Sequence, residues 1–376
     1  MSIVKIFPIQ DTTLYSNSRT TNTGLDEILE VGAYNLSTTN PTSTTILGEL
    51  GIDDIRRSIL LFDTEEIRQF SQVANAINAP VTSSLRMYLA TAVNLNQTYT
   101  VEAFPVAEAW QNGVGTYADV PTNTGGASWR YRSDARLAVR WLDNTYATDY
   151  LYTSGGGSWR TANGASQEFK FNSNKDINMN VTNMVNSWTG SYGVIPNYGI
   201  IVKLTGSIEV SASSFTGLKF YSRETHTIYP PCLELKWDDS TFNTGSTNYV
   251  TASNSNFILI PTNNVGTYEN SEIHKFRFKT REQYPVRQFT TSSVYLNWQY
   301  LPTSSYWAIQ DYKTKEMVID FDPVATKLST DEDGNFFTCH MAGLEPERSY
   351  KILIKTRLAT GETVIKDQDI IFKVVR

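Results

Sequence analysis

The sequence predicts an all-β protein built from two successive β-sandwiches, with one short helix in the first. Charged residues make up only 19% of the 376 residues, whereas Tyr, Thr, Ser and Asn are abundant, as in strands with hydroxyl-rich outer faces. Short alternating or apolar runs recur along the chain between clusters of Gly, Asn, Pro and Ser. The chain is also too long for one ordinary domain.

The first two-thirds of the chain contain nine runs that we interpret as strands, because each is short, alternating or apolar and is bounded by turn residues. The runs are SIVKIF at 2–7, EILEVG at 27–32, RSILLF at 57–62, SLRMYL at 84–89, TYTVEAF at 98–104, QEFKF at 167–171, YGIIVKL at 198–204, GLKFYS at 217–222 and CLELKW at 232–237.

The short helix is predicted at 176–190, where apolar residues recur at spacings of three and four and Gly190 supplies a stop. A weaker helical pattern lies at 63–76, with Asp63 placed as N-cap and Ile67 and Phe70 on one face. A single turn would satisfy this second pattern.

A polar segment with few residues able to anchor a core strand follows Asp238 and predicts a domain boundary. We therefore expect a first domain at 1–239, a linker at 240–254 and a second domain at 255–376.

The second domain repeats the strand pattern in seven runs, at 273–280, 293–298, 305–310, 316–321, 335–341, 349–356 and 363–375. Within it, GLEPERSYKILIKT at 343–356 resembles the "Leu-x-Pro, turn, Tyr-x-hydrophobic-x-hydrophobic" passage of fibronectin type III and immunoglobulin-like domains. The resemblance implies a second, smaller sandwich of that kind.

Charge and targeting signals exclude several classes of protein. The formal net charge is −6, and the 32 Lys and Arg residues are thinly spread, which argues against nucleic-acid binding. The start of the chain lacks the pattern of a signal peptide, and no run of eighteen apolar residues occurs. We therefore expect a soluble protein without membrane insertion.

Cysteine and histidine usage predicts no metal or catalytic centre. Cys232 and Cys339 are far apart and form neither a disulfide framework nor a CxxC pattern, which fits folding in a reducing compartment. The three histidines, His226, His274 and His340, show no metal spacing, and no HExxH, GxSxG or P-loop motif is present. We expect no catalytic residue, metal or cofactor, and no enzyme activity.

Alternating acidic residues in STDEDGN, at Asp331, Asp333 and Asn335, are similar to part of a calcium loop. Gly334 falls off the position that such a loop requires, and no Glu closes a loop of twelve residues. A hairpin turn between EMVIDF and NFFTCHM explains the pattern better.

Two nearly identical hexapeptides, GGASWR at 125–130 and GGGSWR at 155–160, are the most distinctive feature of the chain. Trp129, Tyr131 and Trp159 are candidate glycan contacts, because aromatic faces stack on sugar rings while polar neighbours take the hydroxyl groups. Tryptophans in a sandwich more often belong to the core. We interpret the hexapeptides as two structural loops, and an aromatic rim shared between them stays an alternative.

The order of passages in the first 230 residues resembles DNRLRE-type domains. These passages include DTTLYSNSRTTNTGLDEILEVG at 11–32, VEAFPVAEAWQNGVG at 101–115, GASWRYR at 126–132 and FYSRETHTIYPPCLELKW at 220–237. Such domains are similar to jelly-roll carbohydrate-binding modules, so the resemblance implies an N-terminal jelly-roll sandwich. The fingerprint that gives the domain its name is not reproduced literally, and no sugar-binding residue is carried over.

Nearly the whole chain also resembles structural proteins of contractile-tailed, T-even-related phages, notably those of marine cyanobacteria. The passages that carry this resemblance are SWTGSYGVIPNYGIIVKL at 187–204, REQYPVRQFTTSSVYLNWQYLPTSSYWAIQD at 281–311 and the terminal FKVVR. The resemblance implies a non-enzymatic virion protein of the neck or collar, of the capsid decoration or of the tail, made and assembled in the host cytoplasm.

We expect such a protein to act through assembly with other virion proteins, and as a homo-oligomer in a symmetric assembly. A carbohydrate-binding module that attaches to host-surface glycans is the alternative. A polysaccharide-degrading enzyme is disfavoured, because no solenoid repeat or recognisable acidic pair is visible.

Overall fold

The computed structural model describes residues 2–34, 54–95, 98–141, 155–170, 172, 176–189, 195–209, 216–247, 249–285 and 297–376. Contacts divide the chain into two compact units. The N-terminal unit comprises Ile6–Ser71 and Thr82–Glu234, and the C-terminal unit comprises Met1–Lys5, Gln72–Val81 and Leu235–Arg376. The all-β prediction is confirmed.

Twelve strands and three helices are described up to Trp237. The strands are β1 Ser2–Ile6, β2 Pro8–Tyr15, β3 Ile28–Tyr34, β4 Asp54–Phe62, β5 Thr82–Met87, β6 Leu89–Val93, β7 Tyr99–Pro105, β8 Ala165–Phe169, β9 Ile177–Asn180, β10 Ile200–Leu204, β11 Thr216–Tyr221 and β12 Cys232–Trp237, and the helices are α1 Thr64–Ala76, α2 Thr182–Thr189 and α3 Gly206–Glu209.

These strands form two sheets. One has the order β1-β12-β5-β9, and the other has the order β6-β11-β3-β4-β10-β7-β8, with β2 also pairing with β4. Strand β10 is central in the larger sheet because it pairs antiparallel with both β4 and β7. All five of its residues are buried, although one of them is Lys203, whose charge requires a partner in the interior.

Both helical patterns form helices, with different bounds from those predicted. Helix α1 starts after Asp63, whose Oδ1 accepts a 2.8 Å hydrogen bond from the Glu65 N–H, and it buries Ile67 and Phe70 as expected. It runs to Ala76 instead of ending after one turn. The stronger pattern at 176–190 instead forms β9 and then α2, because Ile177–Asn180 alternates buried and exposed residues with the period of a strand.

Eleven further strands complete the chain: β13 Val250–Thr251, β14 Phe257–Pro261, β15 Thr267–Glu269, β16 Ile273–Glu282, β17 Trp298–Tyr300, β18 Ser305–Asp311, β19 Met317–Ile319, β20 Ser329–Asp331, β21 Gly334–His340, β22 Arg348–Arg357 and β23 Thr363–Val375. One sheet has the order β13-β17-β16-β21-β20, with β14 also paired with β16, and the other has the order β15-β23-β22-β18-β19.

The strand order of the C-terminal unit matches an immunoglobulin-like sandwich. Strands β14, β16, β21 and β20 correspond to A, B, E and D of one sheet, and β18, β22 and β23 correspond to C, F and G of the other. Trp307 on the C-equivalent strand is fully buried and stacks on Phe337, with ring centroids 4.3 Å apart. Side chains of both sheets therefore share one core.

The Leu-x-Pro-turn-Tyr passage forms a tyrosine corner. The buried Tyr350 hydroxyl donates a 2.9 Å hydrogen bond to the Glu345 carbonyl, five residues upstream. This bond ties the turn before β22 to the strand itself, as in immunoglobulin-like domains.

The segment at 240–254, predicted as a polar linker, belongs to the C-terminal unit in its described part. Val250–Thr251 pairs in parallel with β17, Phe242 forms an isolated bridge with Thr330, and Ala252 is 2% exposed within the core. Backbone pairing, which does not depend on apolar side chains, holds this segment. Contacts place the division between the units at Glu234 and Leu235.

Candidate functional site

The two hexapeptides come together in the N-terminal unit, where they cover one side of the larger sheet. The Gly156 N–H donates a 2.6 Å hydrogen bond to the Trp129 carbonyl, so the second loop is joined directly to the first. Trp159 forms a bridge with Val106, and flanking bonds from Ala107 to Ser158 and from Arg160 to Pro105 extend the pairing next to β7.

Trp129 and Trp159 are each only 3% exposed. They belong to an apolar cluster whose members come from strands and loops: Leu14, Ile55, Ile59, Val106, Trp110, Ala127, Trp129, Trp141, Trp159 and Ile201. The indole N–H groups of Trp110 and Trp141 donate to the Tyr198 and Ser128 carbonyls, at 2.8 and 2.9 Å. This is how buried tryptophans satisfy their polar atom.

The guanidinium of Arg57 lies close to both tryptophans of the hexapeptides. Its carbon is 5.1 Å from the centre of the Trp129 ring and 4.9 Å from that of Trp159, within the range of cation–π attraction. Arg57 is itself fully buried. We conclude that the indole faces contact a cation of the protein, and that Trp129 and Trp159 do not form an exposed rim for a sugar ring.

Glu209 at the end of α3 balances the buried charge of Arg57. Its two carboxylate oxygens accept hydrogen bonds of 3.0 and 2.7 Å from Nε and Nη2 of Arg57, which is the strong two-point geometry of an arginine–carboxylate pair. Nη1 of Arg57 donates a further 3.0 Å bond to the Gly156 carbonyl. The guanidinium thus fastens the second hexapeptide to β4.

Lys203 and Glu102 extend this ion pair into a four-charge cluster. Nζ of Lys203 lies 3.5 Å from Glu209 and 3.7 Å from Glu102, donates a 2.7 Å bond to the Leu204 carbonyl and lies 5.5 Å from the centre of the Trp159 ring. Burial raises the pKa of Glu102, and the nearby Lys203 opposes that rise. Two cations and two carboxylates balance in formal charge.

Glycine is required at position 156 for two reasons. Its φ is +84°, which L side chains rarely adopt. A Cβ built there would lie 2.7 Å from Nη1 of Arg57 and 2.8 Å from the Trp129 ring. The glycines of the second hexapeptide therefore allow the backbone to approach the buried guanidinium closely.

The sequence pointed to Trp129 and Trp159 as candidate site residues but not to the charged residues that they contact. Arg57 lies in β4, whereas Lys203 and Glu209 lie close together in β10 and α3, in a distant part of the chain. A signal was present at Lys203, which interrupts the apolar run IIVKL, whereas Arg57 stands next to Arg56 at the start of its run and gave no such signal. Tyr131, the third candidate glycan contact, is half-buried, and its carbonyl accepts a bond from the Ser128 N–H.

The acidic turn at 331–335 forms part of a hairpin between β20 and β21. The Asp331 carboxylate accepts two hydrogen bonds from Arg277, of 2.8 and 2.7 Å, and Asn335 is buried and bonds the Leu301 N–H and the Thr330 hydroxyl. The hairpin interpretation is correct in kind, but its first strand is β20 and not the EMVIDF run.

The three histidines lie in different surroundings. His226 is exposed, His274 is half-buried and His340 is buried, where loss of solvent lowers its pKa to about 4. Both cysteines are buried and neither forms a disulfide, and burial raises the pKa of Cys339 to about 12. No group of three His, Cys, Asp or Glu side chains suited to a metal occurs among the described residues.

In the part of the chain that is described, no helix is long and apolar enough to cross a membrane. No protein-family model matches the chain, and no curated protein matches it in sequence. The resemblances to DNRLRE-type domains and to phage structural proteins therefore stay predictions.

Proposed function

We propose that the chain is a non-enzymatic structural component of a tailed-bacteriophage virion, placed at the neck or collar, as a decoration protein or on the tail. It acts through assembly with other virion proteins and with further copies of itself. It is made in the host cytoplasm and resides in the particle. The resemblance of its sequence to T-even-related virion proteins indicates this class of protein.

The observation that carries the proposal is that the charged side chains behind the hexapeptides are buried and contact other groups of the protein. The side chains of Arg57, Glu209 and Lys203 are 3% exposed or less. They bind one another, and Arg57 also bonds the backbone of the second hexapeptide, so these buried charges hold that loop in one conformation. Rigid loops on a sheet are what a repeated symmetric interface requires.

The edges of the C-terminal sandwich also suit assembly. In the described residues, β13, β14 and β20 lie at edges of one sheet, and β15 and β19 end the other. Strand β14 has five residues, and the other four have only two or three. Short edges limit uncontrolled strand pairing, while the sheet faces remain available for specific contacts.

The glycan-binding alternative loses its expected site at the hexapeptides, because Trp129 and Trp159 contact Arg57 and are buried. Of the three candidate aromatics, Tyr131 alone keeps a partly accessible side chain. For this part of the molecule we therefore favour assembly with virion proteins over attachment to host-surface glycans.

Quantitative mass spectrometry of gradient-purified particles tests the proposal. We expect peptides of this chain at a constant ratio to the major capsid protein across preparations. A chain that is abundant in infected cells but missing from intact particles would contradict a structural role.

A further inference from the structure

The outward face of β16 carries four cations at alternate positions: Lys275, Arg277, Lys279 and Arg281. The residues between them, Phe276, Phe278 and Thr280, are buried to 1% exposure or less. Because neighbouring residues of a strand point to opposite sides, the four cations lie together on the outer face of the sheet. The strand thus concentrates positive charge in a chain whose net charge is −6.

Carboxylates neutralise only one half of this row. Asp331 lies 2.7 Å from Arg277 and 3.8 Å from Lys275, and Asp333 lies 3.5 Å from Arg277. Lys279 and Arg281 have no ion pair with a carboxylate among the described residues, and the segment 286–296 contains no Asp or Glu. The unbalanced charge is therefore confined to Lys279 and Arg281.

An aromatic ring lies beside the two unbalanced cations. Trp298 is the cross-strand partner of Arg281, and Nζ of Lys279 is 5.3 Å from the centre of the Trp298 ring. All three side chains are half-buried and keep accessible surface. Isoleucines 258 and 260 pair with Arg281 and Lys279 on the opposite side of β16, so the cations lie between apolar neighbours that strengthen their attraction for an anion.

We propose that Lys279, Arg281 and Trp298 form a binding site for acidic polysaccharide, in which a sugar carboxylate contacts the two cations and a sugar ring packs on the part of the indole that stays accessible, in contrast to the buried rings of Trp129 and Trp159. Cations two residues apart on a strand are about 7 Å apart along it. That spacing suits one or two acid groups next to an apolar sugar face.

The same charge distribution disfavours a nucleic acid. A single strand would place phosphates along the whole row and would bring them against Asp331 and Asp333 after the first two cations. Like charges at that distance repel, whereas a uronic-acid sugar needs only the free end of the row. The site lies outside the hexapeptides, and its argument does not rest on the proposed function.

The test is a binding titration of the full chain with polygalacturonate, with dextran as a neutral polymer and an oligothymidylate as a nucleic-acid probe. We expect binding to polygalacturonate alone, weakening as salt rises from about 50 to 200 mM. The double variant Lys279→Gln and Arg281→Gln, and separately Trp298→Ala, should each weaken it by about tenfold or more.

Lys275→Gln is the matched control, because it removes a cation of the same strand and face that Asp331 already balances. It should change affinity by about twofold at most, and unchanged thermal unfolding of the glutamine variants would show that folding is intact. The proposal is overturned if dextran binds equally, if the oligothymidylate binds as tightly as polygalacturonate, if Lys275→Gln matches the double variant, or if no acidic polymer binds.

Discussion

The side chain of Arg57 connects several parts of the N-terminal unit behind the hexapeptides. It bridges β4 to the end of α3 through Glu209 and to the second hexapeptide through Gly156, while lying against Trp129 and Trp159. A buried pair of this kind adds little net stability compared with apolar residues, but breaking it is costly because one charge is left unpaired. The Arg57–Glu209 pair therefore selects the conformation of the loop that Arg57 contacts.

Glu209→Gln should therefore destabilise the N-terminal unit by about 3 to 5 kcal/mol. The variant keeps the shape of the side chain but leaves Arg57 and Lys203 with one carboxylate, Glu102. Urea unfolding followed by tryptophan fluorescence measures the change. Arg68→Gln, which breaks the exposed pair with Glu65 on α1, should cost less than about 1 kcal/mol. Equal losses in the two variants would contradict a structural role for the buried cluster.

Asp11 gives the fold a pH dependence of defined sign. Burial raises its pKa from 3.8 to about 7, against a 2.7 Å hydrogen bond from the Arg223 N–H that lowers it. Between about pH 4 and 7 the unfolded chain loses the Asp11 proton while the folded chain keeps it. The folded chain then binds more protons, so its stability falls as pH rises through this window.

Asp11→Asn should flatten this dependence, because the amide does not ionise. The free energy of unfolding of the variant minus that of the wild type should therefore rise by on the order of a few kcal/mol between pH 4 and 7. Urea titrations at several pH values provide the measurement. Some slope should persist, since burial also raises the pKa of Asp26 to about 6. Identical slopes in both proteins would contradict the assignment.

At the scale of elements, the sequence predicted most strands but not how they pair. Alternation within IHKFRFKT at 273–280 is clear, SYKILIKT at 349–356 is a short run with an apolar centre, and both become long strands. The pattern at 176–190 misled because Ile177 fits the helical spacing to Val181 and also the strand spacing to Met179, and only pairing with β5 decides between them. Short strands such as β13 depend on their partner and have no pattern of their own.

The conformation of the second hexapeptide is an element-scale property that a single substitution tests. Gly156→Ala should cost about 2 kcal/mol or more, because the methyl group adds a clash with Arg57 to the strain of a positive φ. Gly361→Ala is the control, since its φ of +86° is nearly equal and nothing lies within 4 Å of its Cβ. That variant should cost only about 1 kcal/mol. Comparable losses, measured by urea unfolding, would show that strain alone is responsible.

The hexapeptides show where sequence reasoning ends in the candidate site. Glycines before a tryptophan indicated structural loops, and that interpretation fits the buried rings. The glycan contacts proposed at Trp129 and Trp159 do not fit them, because the cation between the rings comes from position 57. Residue spacing within a loop carries no information about a side chain that arrives from a distant strand.

At the scale of the whole molecule, each unit has a core of its own. One apolar cluster contains Leu14, Trp129 and Ile201, and another contains Trp307, Phe337 and Tyr350. Calorimetry should therefore resolve two unfolding transitions. Glu209→Gln should lower the midpoint of one, and Tyr350→Phe, which removes the tyrosine-corner bond, should lower the other. One transition that shifts equally with both variants would contradict independent cores.

We propose that this chain is built into a phage particle as a structural protein, and a symmetry-averaged density map of the intact virion tests this proposal. We expect the two sandwiches to fit density at symmetry-equivalent positions of the neck, capsid surface or tail, in contact with other virion proteins. A complete map at side-chain resolution in which every density is traced to other chains would contradict the claim.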